Sequence, residues 1–127
     1  LKSYPDIVGV WTACYGETRG IKPGMAFTKA ECDIKLANAL VEFETGMRAC
    51  LKQPDAIPIK PYIAYLSLSY NVGTGAFCKS TVARKANAAD YRGACDALLA
   101  FNKAGGKVAN GLVKRRAAER KFCLEGL

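Results

Sequence analysis

The sequence predicts an α+β fold in which one small β element precedes about five helices, and three observations carry that expectation. A short run of β-branched and aromatic residues near the start is closed by glycine. An apolar stripe at spacings of three and four follows a helix-start signature. Prolines and glycines then cut the remainder into short amphipathic pieces. With 127 residues, half of them apolar, the chain fits one domain over 1–127 that buries roughly two thirds of its unfolded surface.

Residues 7 to 15, Ile-Val-Gly-Val-Trp-Thr-Ala-Cys-Tyr, read as a short hairpin or small sheet, with Gly9 early and Gly16 closing the run. From Glu17 to Phe27, Gly20, Pro23 and Gly24 predict a loop. Thr28-Lys-Ala-Glu31 has the form of a capping box, in which hydroxyl and carboxylate each take the other residue's amide. Leu36, Leu40, Phe43, Met47 and Cys50 follow on one stripe of a helix to about Leu51, roughly 35 Å long. Pro54, Pro58 and Pro61 break the chain, and Pro61 can open a helix carrying Ile63, Leu66 and Tyr70 that stops near Gly73. Ser80 and Asp90 start two short helices, to about Asn87 and Asn102. Gly105-Gly106 opens a loop, and Asn110 caps a last helix from Gly111 to about Glu125. There is no internal repeat, heptad run, apolar stretch of about 18 residues or signal-peptide pattern.

The formal charge of +8, from 19 Lys and Arg against 11 Asp and Glu, favours polyanionic partners: nucleic acid, anionic lipid or cell-wall polymer. Sign alone does not choose among them. Six cysteines, at 14, 32, 50, 78, 95 and 123, are even in number and dispersed, which reads as three disulfides in an oxidising compartment; 15 pairings are open. The chain has no histidine, which disfavours imidazole-dependent serine and cysteine hydrolases and zinc enzymes, and no metal or cofactor is expected. Carboxylate chemistry remains, and glycoside cleavage by paired acids is its main example.

Four stretches turn the reading specific. In Leu1-Lys-Ser-Tyr-Pro-Asp6-Ile-Val-Gly-Val-Trp-Thr12, five residues separate Asp6 from Thr12 on a turn leading into a strand. Ser69-Tyr70-Asn71-Val72-Gly73-Thr74-Gly75-Ala76-Phe77, then Ser80-Thr81, and finally Gly111-Leu-Val-Lys-Arg115-Arg116-Ala-Ala-Glu119-Arg120 follow in order. Together they resemble the phage-type lysozymes of glycoside hydrolase family 24. That family's active-site pattern is Glu, eight residues, Asp or Cys, five residues, Thr; it also carries an Asn-Val-Gly-x-Gly-x-Phe segment and a Gly-Leu-x-x-Arg-Arg-x-x-Glu-Arg helix. The Asp and Thr pair alone is weak; the further segments in register make the resemblance strong over nearly the whole chain. Counting back from Asp6, the family glutamate falls four positions before Leu1, outside this sequence, and truncation is expected rather than loss of the acid.

The resemblance implies a lysozyme-like fold, with a small β-containing lobe and a helical lobe joined by the helix at 28–51 and a cleft between them. Cys14, Cys32, Cys95 and Cys123 resemble those of exported endolysins that begin with a releasable signal-anchor helix. In such a fold the pairs Cys14–Cys32, Cys50–Cys78 and Cys95–Cys123 join adjacent segments, each contributing roughly 3 kcal/mol. One departure is Gly16-Glu17, which puts a carboxylate at the cleft mouth where many relatives have Gly-His or Gly-x-Gly-His.

The activity implied is hydrolysis of the β-1,4 bond between N-acetylmuramic acid and N-acetylglucosamine of peptidoglycan, for lysis of the host by a phage. The preceding glutamate would protonate the leaving oxygen. Asp6 would stay ionised to orient a water or stabilise oxocarbenium charge, and Thr12 would hold that water; inversion needs carboxyls roughly 6.5 to 9.5 Å apart. Glu17, Tyr70, Asn71 and Arg115 would line the substrate, with Arg115 facing the glutamate and favouring its ionised form against burial. The expected partner is peptidoglycan and not nucleic acid, in the periplasm of the infected bacterium, for a monomer whose membrane anchor would precede Leu1.

Blander readings stand beside these. Asp6 after proline could be a turn aspartate, and Thr12 an ordinary strand residue whose role is conditional on Asp6. Trp11 reads as sheet packing, because strand neighbours face opposite sides. Asn71 serves equally as a helix-end cap or as a partner for an acetamido group, and Glu17 is a weak candidate for a replacement acid. Lys114-Arg115-Arg116 with Arg120 and Lys121 reads as a solvated helix face. The rivals are a lytic transglycosylase, which needs no Asp and Thr pair, and a basic module that binds peptidoglycan, nucleic acid or a membrane surface.

Overall fold

The computed structural model describes residues 4–5, 11–12, 25–26 and 28–127, in a chain that divides into two units, Leu1–Glu42 and Phe43–Leu127. In the first, β1 (Tyr4–Pro5) pairs antiparallel with β2 (Trp11–Thr12), Tyr4 opposite Thr12 and Pro5 opposite Trp11. The β element therefore starts ahead of residue 7, where the sequence placed it. Proline is tolerated on an edge strand, where its missing N–H is not called upon.

Helix α1 (Lys29–Cys50) opens on the expected box: the Thr28 amide donates to Glu31 Oε1 at 3.0 Å and the Glu31 amide to Thr28 Oγ1 at 3.1 Å. The backbone bond from Thr28, then its hydroxyl, hold the Glu31 carboxyl below its ordinary range, because both favour the ionised form. The unit boundary falls within α1.

In the second unit Met47, on the predicted stripe of α1, joins a core with Tyr65, Leu68, Phe77, Val82 and Leu98. Helix α2 (Ile59–Val72) begins two residues before Pro61, with the Tyr62 amide donating to the Pro58 carbonyl at 3.0 Å. Pro61 fits inside the first turn because no N–H is needed there. The buried face is Pro61, Ala64, Tyr65 and Leu68, while Ile63 is 44% exposed. The helix ends at Gly73, whose φ of +95° favours a residue without Cβ. A short helix, α3 (Thr74–Cys78), follows that the flanking glycines had concealed.

Local caps then set the next two helices as expected. For α4 (Thr81–Asn87), Ser80 Oγ accepts the Ala83 amide at 3.1 Å; for α5 (Tyr91–Ala97), Asp90 accepts the Gly93 amide at 2.9 Å. Instead of continuing to Asn102, α5 tightens into a 3₁₀ turn at Leu98–Ala100 that buries Leu98. The chain then extends into β3 (Lys103–Ala104), paired with β4 (Lys107–Val108). Gly105 at φ +59° and Gly106 at φ +79° form the turn between them, so the expected loop is a tight hairpin of the kind that requires two positive φ values. The last helix, α6 (Asn110–Glu125), starts one residue early: Ala109 takes the cap position, its carbonyl accepting the Val113 amide at 3.0 Å, and Asn110 is the first helical residue instead of the cap.

Disulfides join Cys50 to Cys78 and Cys95 to Cys123. Each spans a sequence separation of 28 residues, for which chain entropy gives about 3 to 4 kcal/mol. Cys32 is fully buried, and its expected partner Cys14 lies outside the described residues. Among the described residues no helix is long and apolar enough to cross a membrane.

One core group is poorly served. The buried Tyr65 hydroxyl has no hydrogen-bond partner among the described residues, and desolvation raises its pKa far above that of a free phenol. Removing an unpaired buried hydroxyl at constant shape relieves a desolvation cost, so Tyr65→Phe is expected to raise stability by about 1 kcal/mol. Chemical denaturation of the disulfide-intact protein checks it, and a loss of stability would mean that the hydroxyl is bonded.

Candidate active site

Within the second unit, polar side chains of α2 and α6 converge where these helices pack together. Residues 116, 119 and 123 share the buried stripe of α6, and that spacing of three and four carries Arg116 inward. Its side chain is fully buried. Arg116 Nη1 donates to Asn71 Oδ1 at 3.0 Å and Nη2 to Glu119 Oε2 at 2.9 Å. Arg116 Nε lies 2.6 Å from Glu119 Oε1, close enough for an ion pair though without hydrogen-bond alignment. Ser67 Oγ donates to Glu119 Oε2 at 2.5 Å.

Burial pulls the Arg116 pKa below its ordinary value, and the neighbouring Glu119 carboxylate opposes that. A guanidinium stays charged even so, and the carboxylate keeps it compensated. Arg115, by contrast, is 41% exposed at its side chain and sits 3.6 Å from Glu119 Oε2. The Lys114-Arg115-Arg116 run is thus not wholly a solvated face, since its third member belongs to the interior.

Asn71 is exposed, at the C-terminal end of α2, and its orientation is set from below. Because Oδ1 accepts from Arg116, the amide keeps Nδ2, a pure donor, for another partner. The neighbouring Tyr70 packs edge-on against Phe43, ring centroids 5.5 Å apart at 76°. Thr12 lies in β2, opposite Tyr4. Asp6 and Glu17 fall outside the described residues. Sequence reasoning singled out Tyr70, Asn71 and Arg115 but missed Arg116, Glu119 and Ser67. The signal was present in the three-residue spacing of Arg116 and Glu119 along one helix, yet only the packing of α2 distinguishes that pair from a surface one.

The phage lysozyme family model matches residues 1–119. The chain belongs to the phage lysozyme family. It is 45% identical over 124 residues to the SAR-endolysin of Enterobacteria phage P21, covering 97% of this chain and 74% of that one. It is 44% identical over 126 residues to the SAR-endolysin of bacteriophage PS119, covering 98% and 74%. Among solved structures, a phage P22 lysozyme is similar with a TM-score of 0.77 at 33% identity, covering 98% of this chain and 86% of that one. The active form of the P1 phage endolysin has a TM-score of 0.83 at 24% identity, covering 98% and 76%, and speaks to the fold alone. The fold is lysozyme-like, mostly helical with small antiparallel sheets, and the chain is a glycosidase, a muramidase of phage-mediated host lysis.

Proposed function

We propose that the chain hydrolyses the β-1,4 bond between N-acetylmuramic acid and N-acetylglucosamine with Asp6 and Thr12 handling the attacking water, acting as a monomer in the periplasm of the infected bacterium. A glutamate preceding Leu1 serves as general acid in this reading, and a membrane anchor precedes it. Asp6 stays ionised to orient the water, Thr12 adds a hydroxyl contact, and Glu17 and Arg115 lie along the sugar chain. Asn71 and Tyr70 form the wall contributed by α2. The observation that carries the substrate wall is the Arg116 bond to Asn71, which leaves an exposed, fixed N–H donor suited to an acetamido carbonyl. Both sugars of the repeat carry such a group.

The products decide between hydrolysis and lytic transglycosylation. Purified peptidoglycan should be digested with protein carrying the residues that precede Leu1, and the fragments analysed by mass spectrometry. Hydrolysis adds one water across the bond and leaves a reducing muramic acid end, which is the expected result. An anhydro end, lighter by one water, would assign the chain to the transglycosylases, for which a water-holding Asp and Thr have no use.

A further inference from the structure

The Phe43–Leu127 unit carries a concave surface of ≈ 510 Å³ that, among the described residues, is lined by none of the candidate active-site residues. Its volume lies in the range of small-molecule sites. Lys52, Lys79 and Arg84 line it, and among the described residues no carboxylate does. Among the described residues none of these three cations forms an ion pair. The acids close by in sequence are engaged elsewhere: Asp55 with Arg48 at 2.7 Å and Asp90 with Lys85 at 3.5 Å.

The walls are tied together. The Cys50–Cys78 disulfide joins the segments that carry Lys52 and Lys79. Asn87, on α4 with Arg84, donates from Nδ2 to the Cys50 carbonyl at 3.1 Å and accepts the Lys52 amide at 2.8 Å. Three backbone segments are therefore fixed by one covalent bond and two hydrogen bonds, and the cations project from a preformed frame. A concave surface lined by one sign of charge focuses its field and raises the local concentration of the opposite ion.

We propose that this pocket binds a phosphorylated sugar of the bacterial envelope, with the phosphate held by Lys52, Lys79 and Arg84. Three cations around one cavity match a doubly charged tetrahedral oxyanion better than a single carboxylate, and lysine and arginine are the usual donors to phosphate. A membrane-surface site would set exposed apolar side chains beside the cations. The exposed large apolar residues of the described chain, Ile59, Ile63 and Leu99 among them, line other surfaces. The choice of an envelope sugar rests on the muramidase assignment, whereas the phosphate site rests on the three cations that line the pocket.

The test is an NMR titration of the disulfide-intact, ¹⁵N-labelled protein with glucose 1-phosphate, and with glucose, inorganic phosphate and phosphatidylglycerol vesicles as comparison probes. Saturable shifts for glucose 1-phosphate at Lys52, Lys79, Arg84 and Asn87, weaker for inorganic phosphate and absent for glucose, are expected. The exposed triple variant K52Q/K79Q/R84Q should bind about 10- to 100-fold more weakly. A charge-matched variant, K103Q/K107Q/K121Q, should bind as the parent does, and cleavage of soluble peptidoglycan fragments should be unchanged in both. Shifts scattered over the basic surface, or equal weakening in the two variants, would reduce the pocket to general charge attraction. Vesicle binding without sugar-phosphate binding would make it a lipid surface. Slower cleavage in K52Q/K79Q/R84Q would make the pocket part of the substrate path; each of these three outcomes overturns the proposal.

Discussion

Asp6→Asn, made in a chain that carries the residues preceding Leu1, is expected to lower the release of reducing ends from peptidoglycan by about 10² to 10⁴-fold, the range that positioned acid–base groups contribute. The amide keeps the shape of the carboxylate and removes its charge. It can neither accept a proton from the attacking water nor stabilise positive charge building on the sugar ring. Thermal unfolding should be little changed, by about 0.5 kcal/mol or less, because the amide is isosteric with the carboxylate. Thr12→Val should cost less than Asp6→Asn, since it removes one contact to the water and leaves the charge. Glu17→Gln should leave the rate close to the parent value. Full activity in Asp6→Asn would remove Asp6 from the mechanism, and a collapse of activity in Glu17→Gln would move the acid to the loop.

The features legible in the sequence are those decided by a few neighbouring residues. Thr28 and Glu31, Ser80, and Asp90 each satisfy helix-end amides within three residues of themselves, so their chemistry predicts the helix starts that the structure shows. The pairings of Cys50 with Cys78 and Cys95 with Cys123 were reached through the family resemblance and agree with the structure; cysteine spacing alone left every alternative open. The features missed depend on partners distant in sequence or on rules that weigh against a local bias. Tyr4–Pro5 is a strand because Trp11–Thr12 lies beside it, against the usual meaning of a proline. The Gly105-Gly106 pair was readable as a tight turn, but the two-residue strands that flank it carry almost no pattern of their own. Arg116 looks like its neighbours Lys114 and Arg115 in a linear reading, and only the face of α6 that meets α2 separates them.

The burial of Arg116 makes it the position outside the proposed pair, Asp6 and Thr12, with the largest expected effect. Arg116→Met removes the charge that compensates Glu119 and the donor that holds Asn71, while filling most of the vacated space. Breaking a buried ion pair from one side costs about 3 to 5 kcal/mol, because the remaining carboxylate keeps its desolvation penalty without its partner. Arg115, 3.6 Å from the same carboxylate but 41% exposed, recovers part of this at most. The variant should therefore unfold at a markedly lower denaturant concentration with its disulfides intact. Replacing both members, as R116M/E119L, takes away the stranded charge as well and should return much of the lost stability, since apolar residues of similar volume commonly substitute for a buried pair without loss. Arg116→Lys should fall between, keeping charge but losing the planar fork that reaches Asn71 and Glu119 together. Activity supplies a second, separate readout: R116M/E119L should fold yet show a raised KM, because nothing then fixes the amide of Asn71 with its donor free. If Arg116→Met unfolds like the parent, Arg116 does not compensate a buried Glu119 charge; if R116M/E119L binds substrate as the parent does, Arg116 has no part in orienting Asn71.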